Sequence, residues 1–317
     1  MKLIKQIALI LFVAAMFAAF DIVVYNIFTK RYVNDTSPEM QAKSIELSKY
    51  LPFDENSGIV KIDSVTKLSG DLPVIDGAAA LYPVFSGFVN AVYPSGSVSF
   101  DGENFAPDSA LQFHNTRGAY AAIVDGTADI VICAAPSKEQ LEYAEQNGVE
   151  LELVPIGREA FVFIVNKNNP VDNLTVEQVK GIYSGEIKKW SEVGGENRYI
   201  DALQRNAGSG SQTAMLSFMD GVQMKRSLTG LFGSAIGFSF RYYVEGIVEN
   251  SDVKMLSLNG VYPSPENIAD ESYPLVSSFY AVYRKDDTNP NIPVLINWIL
   301  SDEGQRIVGE SGYAPLK

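Results

Sequence analysis

The segment 203–213, LQRNAGSGSQT, carries the residue types in this chain that are most suited to binding an anion. Two glycines and two serines alternate at 208–211, so the backbone can approach a ligand closely and two hydroxyls can donate to it. The residues that follow have helical spacing, and the N–H groups at a helix start favour a negative charge. Arg205 adds a planar guanidinium that matches two oxygens of a tetrahedral oxyanion. The segment indicates an oxyanion site, although a Gly/Ser loop that only caps a helix has the same composition.

Two other stretches of small residues precede predicted helices. The stretch 77–83 reads GAAALYP, and the stretch 115–120 reads NTRGAY. The second also supplies the hydroxyl of Thr116 and the guanidinium of Arg117. Each stretch is ordinary by itself. Three helix starts that met at one point would surround an anion with N–H donors.

The chain has one cysteine and one histidine, which limits its catalytic and metal chemistry. Cys133 cannot form an internal disulfide, and with His114 it cannot complete a Cys/His zinc site. Cys133 lies in an apolar run, so we expect a buried thiol. His114 has no serine or cysteine partner in a recognisable nucleophile motif, so we expect an ordinary histidine. We predict no catalytic residue, no metal site and no cofactor.

Composition and charge describe an acidic globular chain. Its 317 residues are 46% hydrophobic, which is enough for a sizeable core, and they exceed one average domain. The net charge of −13 excludes a nucleic-acid binder, because such a protein needs a basic face to neutralise phosphates. It does not exclude a small-anion site, which depends on local dipoles and one or two cations.

Residues 1–31 begin with two lysines and continue as a long apolar stretch. Lys2 and Lys5 precede the apolar residues 7–28, which Asp21 interrupts. A cleaved signal peptide would use the first part of this stretch, whereas an uncleaved transmembrane helix would use about 20 residues of it. We favour a single-pass anchor, because a good cleavage site is lacking and the sequence becomes apolar again after Asp21. In either case we expect the bulk of the chain to be extracytoplasmic, at the cell membrane.

The rest of the sequence alternates strand and helix patterns after a polar spacer at 32–70. Strands are predicted at 72–75, 97–100, 129–133, 151–155, 160–165, 235–241, 253–258 and 275–282. Helices are predicted at 83–93, 117–125, 138–147, 175–184, 211–220, 265–269, 293–300 and 301–308. Thr175 should cap the helix that it opens, and Gly148 should end the helix before it. This alternation predicts an α/β fold with largely parallel strands.

The order of these motifs resembles the phosphate-binding solute-binding proteins of ABC transporters. The matching stretches are 77–83, 115–120, 129–136 (DIVICAAP) and Arg205 followed by GSGS at 208–211. Further matches occur at 174–190, at 235–238 and near the end of the chain. The resemblance spans about residues 72–317. Its motifs are specific together rather than singly.

The resemblance implies a type II periplasmic-binding-protein-like fold, in which two α/β lobes close over a ligand by hinge motion. Each lobe would be a mixed sheet flanked by helices. Lobe 1 would comprise residues 71–155 and 276–317, and lobe 2 would comprise residues 156–275.

The resemblance also implies which residues bind the ligand. From lobe 2 these are Arg205, Ser209, Gly210 and Ser211. From lobe 1 these are Thr116 and Tyr82, the latter through its backbone N–H. Arg117 would either add a cation to this set or remain a solvated surface residue.

Two positions depart from the family pattern. Leu81 stands where a threonine is usual, and Ala134 stands where the family has an aspartate that accepts the proton of monohydrogen phosphate. The resemblance thus implies capture of phosphate or a similar tetrahedral oxyanion, for uptake through an ABC permease or for sensing. The alternative is a sensor or interaction module of the same fold, with a different ligand or none.

Overall fold

A computed structural model describes Met16 and residues 45–225, 234–248 and 252–316. The strands are β1 (Ile75–Gly77), β2 (Ile130–Ala134), β3 (Leu151–Asn166), β4 (Asn173–Leu174), β5 (Ile200–Ala202), β6 (Ser234–Phe240), β7 (Val253–Met255), β8 (Ser257–Leu258) and β9 (Val276–Arg284). The helices are α1 (Tyr82–Val92), α2 (Asn115–Asp125), α3 (Lys138–Gln146), α4 (Val176–Ser184), α5 (Gly210–Met219), α6 (Pro265–Ala269), α7 (Asn291–Ile299) and α8 (Asp302–Glu310). Short turns of 3₁₀ helix lie at Leu47–Tyr50, Ala79–Leu81 and Trp190–Val193, and a π-helical turn lies at Tyr243–Val248.

The predicted membrane anchor at 1–31 lies outside the described residues, apart from Met16. Within the ranges that are described, no helix has both the length and the apolar character needed to cross a bilayer.

The central sheet is mixed, as the family resemblance implied, whereas the prediction of largely parallel strands from the alternation of elements was wrong. Its strand order is β1-β2-β9-β3-β6-β5, and β7 also pairs with β3. The pairs β1–β2 and β5–β6 are parallel, whereas every pair that involves β3 or β9 is antiparallel. The reason is that β3 and β9 run in opposite directions alongside each other, and each carries the chain from one half of the sheet to the other.

β3 is one strand of 16 residues where two strands were predicted. Its register against β9 shifts between Pro155 and Gly157, because Pro155 cannot donate to the strand ladder. A Cβ atom built on Gly157 would lie 2.4 Å from the ring of Phe279, so only glycine fits at this position of β3. The bulge interrupts the apolar pattern, and this interruption gave the appearance of two strands.

The buried side chains form two hydrophobic clusters. The first draws on residues 45–156 and 279–313, and the second on residues 160–276 with Ala314. The change from one cluster to the other falls between Ile156 and Ala160 on β3. The lobe boundaries expected from the sequence lie close to these points and stay a prediction.

Part of the predicted spacer packs against the first cluster. Ile45, Ile59 and Leu68 are buried, and the N–H of Leu68 donates to the carbonyl of Val92 at 2.8 Å. Residues 45–70 therefore contribute to the packed body in this structure, because their few apolar side chains find partners that local polarity does not indicate.

The helix ends follow the capping residues expected from the sequence. Thr175 and Gln178 form a reciprocal capping box at the start of α4, as the prediction for Thr175 required. Gly148 follows α3 with a φ of 69°, which confirms it as the residue that ends this helix. The predicted strand at 97–100 was wrong, since its only pairing is an isolated bridge from Phe100 to Phe105.

Candidate oxyanion-binding cleft

A cavity of about 540 Å³ lies where elements of the two hydrophobic clusters face each other. Six of the seven predicted ligand-binding residues line it: Thr116, Arg117, Arg205, Ser209, Gly210 and Ser211. Tyr82 is not among the residues that line it. The backbone N–H of Tyr82 donates to the carbonyl of Ala79, and its side chain is fully buried in the first cluster. The structure therefore does not bring Tyr82 to the cavity.

The turn before α1 offers the cavity other N–H groups. The N–H of Ala78 donates to the carbonyl of Ile132 at 3.0 Å, and that of Leu81 donates to the carbonyl of Ala78 at 2.9 Å. Ala79 and Ala80 lie between these two residues and line the cavity. Their N–H groups open the helical turn, where no acceptor within the turn can reach them. They are the donors that this turn can present to a ligand.

The start of α2 places Thr116 and Arg117 at the cavity. Asn115 begins the helix with a φ of 57°, a left-handed conformation that asparagine tolerates better than most residues. Thr116 is buried and Arg117 is exposed. Gly118 is required in the next position, because a Cβ atom built there would lie 2.5 Å from the Cβ of His114.

Asp76 connects the two helix starts on this side of the cavity. Its side chain is fully buried, and its Oδ1 accepts the N–H groups of Gly77 at 2.7 Å and His114 at 2.9 Å. The other oxygen, Oδ2, lies 2.6 Å from Nδ1 of the His114 ring. This hydrogen bond raises the pKa of His114 above its ordinary value. His114, expected to be an ordinary histidine, lies beside the cavity and is held there by Asp76.

The loop before α5 is held by two side chains of its own helix. Ser209 is the N-cap, and its Oγ accepts the N–H of Gln212 at 3.2 Å. The Oε1 of Gln212 accepts the N–H of Arg205 at 2.8 Å. Gly208 supplies the turn with a φ of 77°, a conformation that most side chains disfavour. These contacts fix Arg205 relative to the first N–H groups of α5.

The loop before α5 packs directly against the start of α2. A Cβ atom built on Gly210 would lie 3.3 Å from Oγ1 of Thr116, and one built on Gly208 would lie 3.4 Å from Cδ of Arg117. The turn before α1 lines the same cavity. The three helix starts singled out from the sequence therefore converge on one space.

The arginines of the cavity differ from the other arginines in the described part of the chain. Those elsewhere each lie within 4.0 Å of a carboxylate: Arg158, Arg198, Arg241, Arg284 and Arg306. Among the described residues, neither Arg117 nor Arg205 has a carboxylate that close. Partial burial also lowers the pKa of the Arg205 guanidinium. A partly buried cation without a counter-ion favours an anionic ligand.

Leu81 and Ala134 both line the cavity, so the two departures from the family pattern concern the site itself. Leu81 is 4% exposed and belongs to the first hydrophobic cluster. The carbonyl of Ala134 accepts the hydroxyl of Tyr120 at 2.7 Å. Neither side chain offers a hydrogen bond to a ligand.

Four polar residues that line the cavity from strands were not predicted. Three are serines on β6 and β9: Ser239, Ser277 and Ser278. The fourth is Glu159 on β3, which is 4% exposed. Burial raises the pKa of Glu159 from 4.5 to about 7. The available signal was a single glutamate directly before the apolar run at 160–165.

No cluster of three or more His, Cys, Asp or Glu side chains in the described residues is arranged to hold a metal ion. The donors around the cavity are guanidinium, hydroxyl and N–H groups, which suit an anion rather than a cation.

Comparison with known proteins agrees with this geometry. Residues 74–303 match the PBP superfamily domain. The phosphate-binding protein PstS of Borreliella burgdorferi is 23% identical over 283 residues, which cover 83% of this chain and 92% of that protein. PstS of Bacillus subtilis is 22% identical over 259 residues, with coverage of 79% and 82%.

Solved structures give the same result for the fold. A candidate phosphate ABC transporter substrate-binding protein from Clostridium perfringens, solved with bound phosphate, has a TM-score of 0.57 at 25% identity. The alignment covers 77% of this chain and 98% of that one. An ABC-type phosphate transport receptor from Vibrio cholerae has a TM-score of 0.53 at 20% identity, with coverage of 76% and 98%. The matched domain, the two-cluster α/β fold and the cleft between the clusters together identify this chain as a member of the PBP superfamily.

Proposed function

We propose that this protein captures phosphate, or a similar tetrahedral oxyanion, in the cleft between its two hydrophobic clusters. The observation that carries the proposal is the pair of cavity arginines, Arg117 and Arg205, which have no carboxylate within 4.0 Å among the described residues. The relatives named as phosphate-binding proteins, and the related structure with bound phosphate, support phosphate as the ligand.

In the proposed binding mode, the two sides of the cleft surround one anion. Arg205, Ser209, Ser211 and the N–H of Gly210 bind it from the α5 side. Thr116 and Arg117 bind it from the other side, together with the N–H groups of Ala79 and Ala80. These two N–H groups take the place that was predicted for the N–H of Tyr82. Closure would bend β3 and β9, the two strands that connect the halves.

We propose a binding role rather than catalysis. The single histidine bonds to Asp76 at the edge of the site, and it lies outside the set of residues that line the cavity. The cleft would serve an ABC-type permease or a sensing partner that recognises the closed form. An ABC permease is favoured because relatives of this chain are named as components of phosphate transport.

We also propose that residues 1–31 anchor the protein in the cell membrane as a single helix, with the bulk of the chain extracytoplasmic. The lysines before the apolar stretch and the poor cleavage site support this arrangement. The mass of the protein isolated from cell membranes tests it. An intact chain that begins at residue 1 is expected, and loss of roughly the first 20 residues would establish a cleaved signal peptide instead.

Isothermal titration of the full-length chain with phosphate tests the proposed ligand. We expect one anion to bind per chain and Arg205→Ala to weaken binding by about 100-fold, since a charge-assisted pair is lost. The matched control is Arg198→Ala, which removes an exposed arginine outside the cavity and should leave the affinity unchanged. Absence of heat and of thermal stabilisation by phosphate would contradict the proposal.

A second candidate function is a sensor or interaction module of the same fold with a different ligand. The observation that favours it is the apolar surface that Leu81 and Ala134 add to the cavity, next to Phe240 and Phe279. If phosphate does not bind, stabilisation by an organic phosphate or another organic anion would support this alternative.

A further inference from the structure

Glu159 occupies an unusual place in the cleft. It lies on β3 at the crossing between the two clusters, opposite Ser277 of β9, and it lines the cavity while being 4% exposed. Its Oε1 accepts the N–H of Ala160 at 2.8 Å, and its Oε2 accepts the N–H of Tyr242 at 3.3 Å. Each oxygen of a carboxylate can accept two hydrogen bonds, so each keeps capacity for one more.

The charged and titratable groups around Glu159 leave it without an ion pair. Arg241 contributes positive charge that favours ionised Glu159, but it bonds to Glu245 at 2.6 Å and to the carbonyl of Gly312 at 3.0 Å. Glu245 adds negative charge from the same segment. Tyr242 and Tyr313 also lie near Glu159, and the hydroxyl of Tyr313 donates to the carbonyl of Ala80. Arg158, the preceding residue on β3, pairs with Glu271.

Glu159 differs chemically from the other polar groups of the cavity. Arg117, Arg205, Thr116 and the two loop serines can all donate hydrogen bonds to an anion, whereas an ionised carboxylate can only accept. A carboxylate and a bound dianion in the same cavity repel each other strongly, since both are shielded from water. The two charges are compatible when one proton lies between them. The pKa of about 7 that burial gives Glu159 means that solvent can supply this proton near neutral pH.

We propose that Glu159 determines the specificity of the cleft by requiring one proton between its carboxyl group and the bound oxyanion. This inference rests on the proposed function, because it assumes that the cleft binds a tetrahedral oxyanion. Monohydrogen phosphate brings its own proton, and its P–O–H group donates a hydrogen bond to ionised Glu159 while the proton stays on the phosphate. Sulfate carries no proton near neutral pH. It therefore binds only when Glu159 is protonated by solvent, so that the carboxyl O–H donates a hydrogen bond to a sulfate oxygen.

Titrations of the full-length chain with phosphate and with sulfate between pH 5.5 and pH 8.5 test this role. The protein is first freed of bound anions by dialysis. At pH 8.5 we expect phosphate to bind at least 30-fold more tightly than sulfate, because about 1.5 pH units separate this pH from the pKa of Glu159. As the pH falls, sulfate affinity should rise by about tenfold per pH unit until about pH 7 and then level off.

Glu159→Gln removes the titrating group while keeping the size of the side chain. In this variant the affinity for sulfate should become independent of pH, and the preference for phosphate at pH 8.5 should collapse. The matched control is Glu152→Gln, on the same strand but outside the cavity, which should keep both the preference and the pH slope. Thermal melting of each variant checks that it is folded.

Four outcomes would overturn the inference while the proposed function stands: equal affinity for the two anions at pH 8.5, a sulfate affinity that does not change with pH, no sulfate binding even at pH 5.5, or a folded Glu159→Gln that still discriminates. If Glu159→Gln fails to fold, the pH dependence of sulfate binding by the unaltered protein decides alone. Absence of phosphate binding by the unaltered protein at every pH overturns the proposed function itself.

Discussion

The two sides of the cleft are both built from helix starts, but they offer a ligand different chemistry. On the α5 side, Arg205 and the serines at 209 and 211 supply a cation and two hydroxyls in a loop that Gln212 holds in place. On the opposite side, Leu81 and Ala134 present only apolar side chains. The polar groups there are backbone N–H groups, the Thr116 hydroxyl and an exposed arginine. Affinity should therefore depend mainly on the α5 side.

The largest expected effect separates the two arginines. Arg205→Ala should weaken phosphate binding by about 100-fold, whereas Arg117→Ala should weaken it by about tenfold or less. The reason is exposure, because Arg205 is partly buried and Arg117 is exposed, and water and salt screen an exposed charge. Titration at low and high salt checks the difference. A larger loss of phosphate affinity in Arg117→Ala than in Arg205→Ala would contradict the expectation that the α5 side dominates binding.

Glu159, on the strand β3 between the two sides, should affect the stability of the protein as well as its anion specificity. The pKa of Glu159 is raised from 4.5 to about 7 in the folded protein, so its ionisation costs folding free energy as the pH rises through this window. The full shift corresponds to about 3 kcal/mol above pH 7. Glu159→Gln removes this cost but loses one hydrogen-bond acceptor, worth about 1 kcal/mol.

Without ligand, Glu159→Gln should therefore be about 2 kcal/mol more stable than the unaltered protein at pH 8 and about 1 kcal/mol less stable at pH 4. Denaturant unfolding at the two pH values measures both numbers. A difference of the same sign at both pH values would contradict the assigned pKa.

The two serines of the α5 loop should separate binding from folding. Ser211→Ala should weaken phosphate binding by about fivefold and leave stability unchanged, because a single hydrogen bond to the ligand is lost. Ser209→Ala should have a similar effect on binding and should also cost about 1 kcal/mol of stability, since Ser209 caps α5. Titration and thermal melting of the two variants, measured together, test this division. Equal stability of both variants would show that the cap contributes little.

The smallest effect concerns His114 on the first side. Asp76 raises the pKa of His114 above 6.5, so the stabilisation by the charged pair is present below that pH and is lost as the pH rises through the folded pKa. The contribution should be a few tenths of a kcal/mol, because the side chain of His114 is 55% exposed and water screens the pair. Since the chain has one histidine, an NMR titration of its ring protons gives the pKa directly. A folded pKa at or below 6.5 would contradict the Asp76 contact.

Local signals predicted the helix starts correctly because each depends on residues a few positions apart. Glycines at 208 and 210, the Ser209 cap and the small residues before α1 all act within one turn of the backbone. The family resemblance implied that these turns bind one ligand, but only the structure shows that they line one cavity. The mixed sheet could not be predicted from alternation alone, because the strand directions depend on the antiparallel pairing of β3 and β9, which are distant in sequence.

The errors at the site have similar causes. The N–H of Tyr82 is used by the turn at Ala79–Leu81, and the position of a 3₁₀ turn within a run of small residues is not encoded by any single residue. Glu159 was not predicted because its place in the cavity depends on the pairing of β3 with β9, two strands that are distant in sequence. Its pKa depends on its burial, so no local pattern could reveal it.

The most direct test of the central claim is the calorimetric affinity for phosphate of Thr116→Val, Arg205→Ala and the double variant. Thr116→Val removes a hydroxyl from the first side with little change in volume, and Arg205→Ala removes the cation from the α5 side. If both sides bind the same anion, each single variant weakens binding, Arg205→Ala by about 100-fold and Thr116→Val by about fivefold. The double variant should then bind phosphate more weakly than either. Phosphate binding with unchanged affinity in Thr116→Val and Arg205→Ala alike would contradict the claim that the anion lies between the two helix starts.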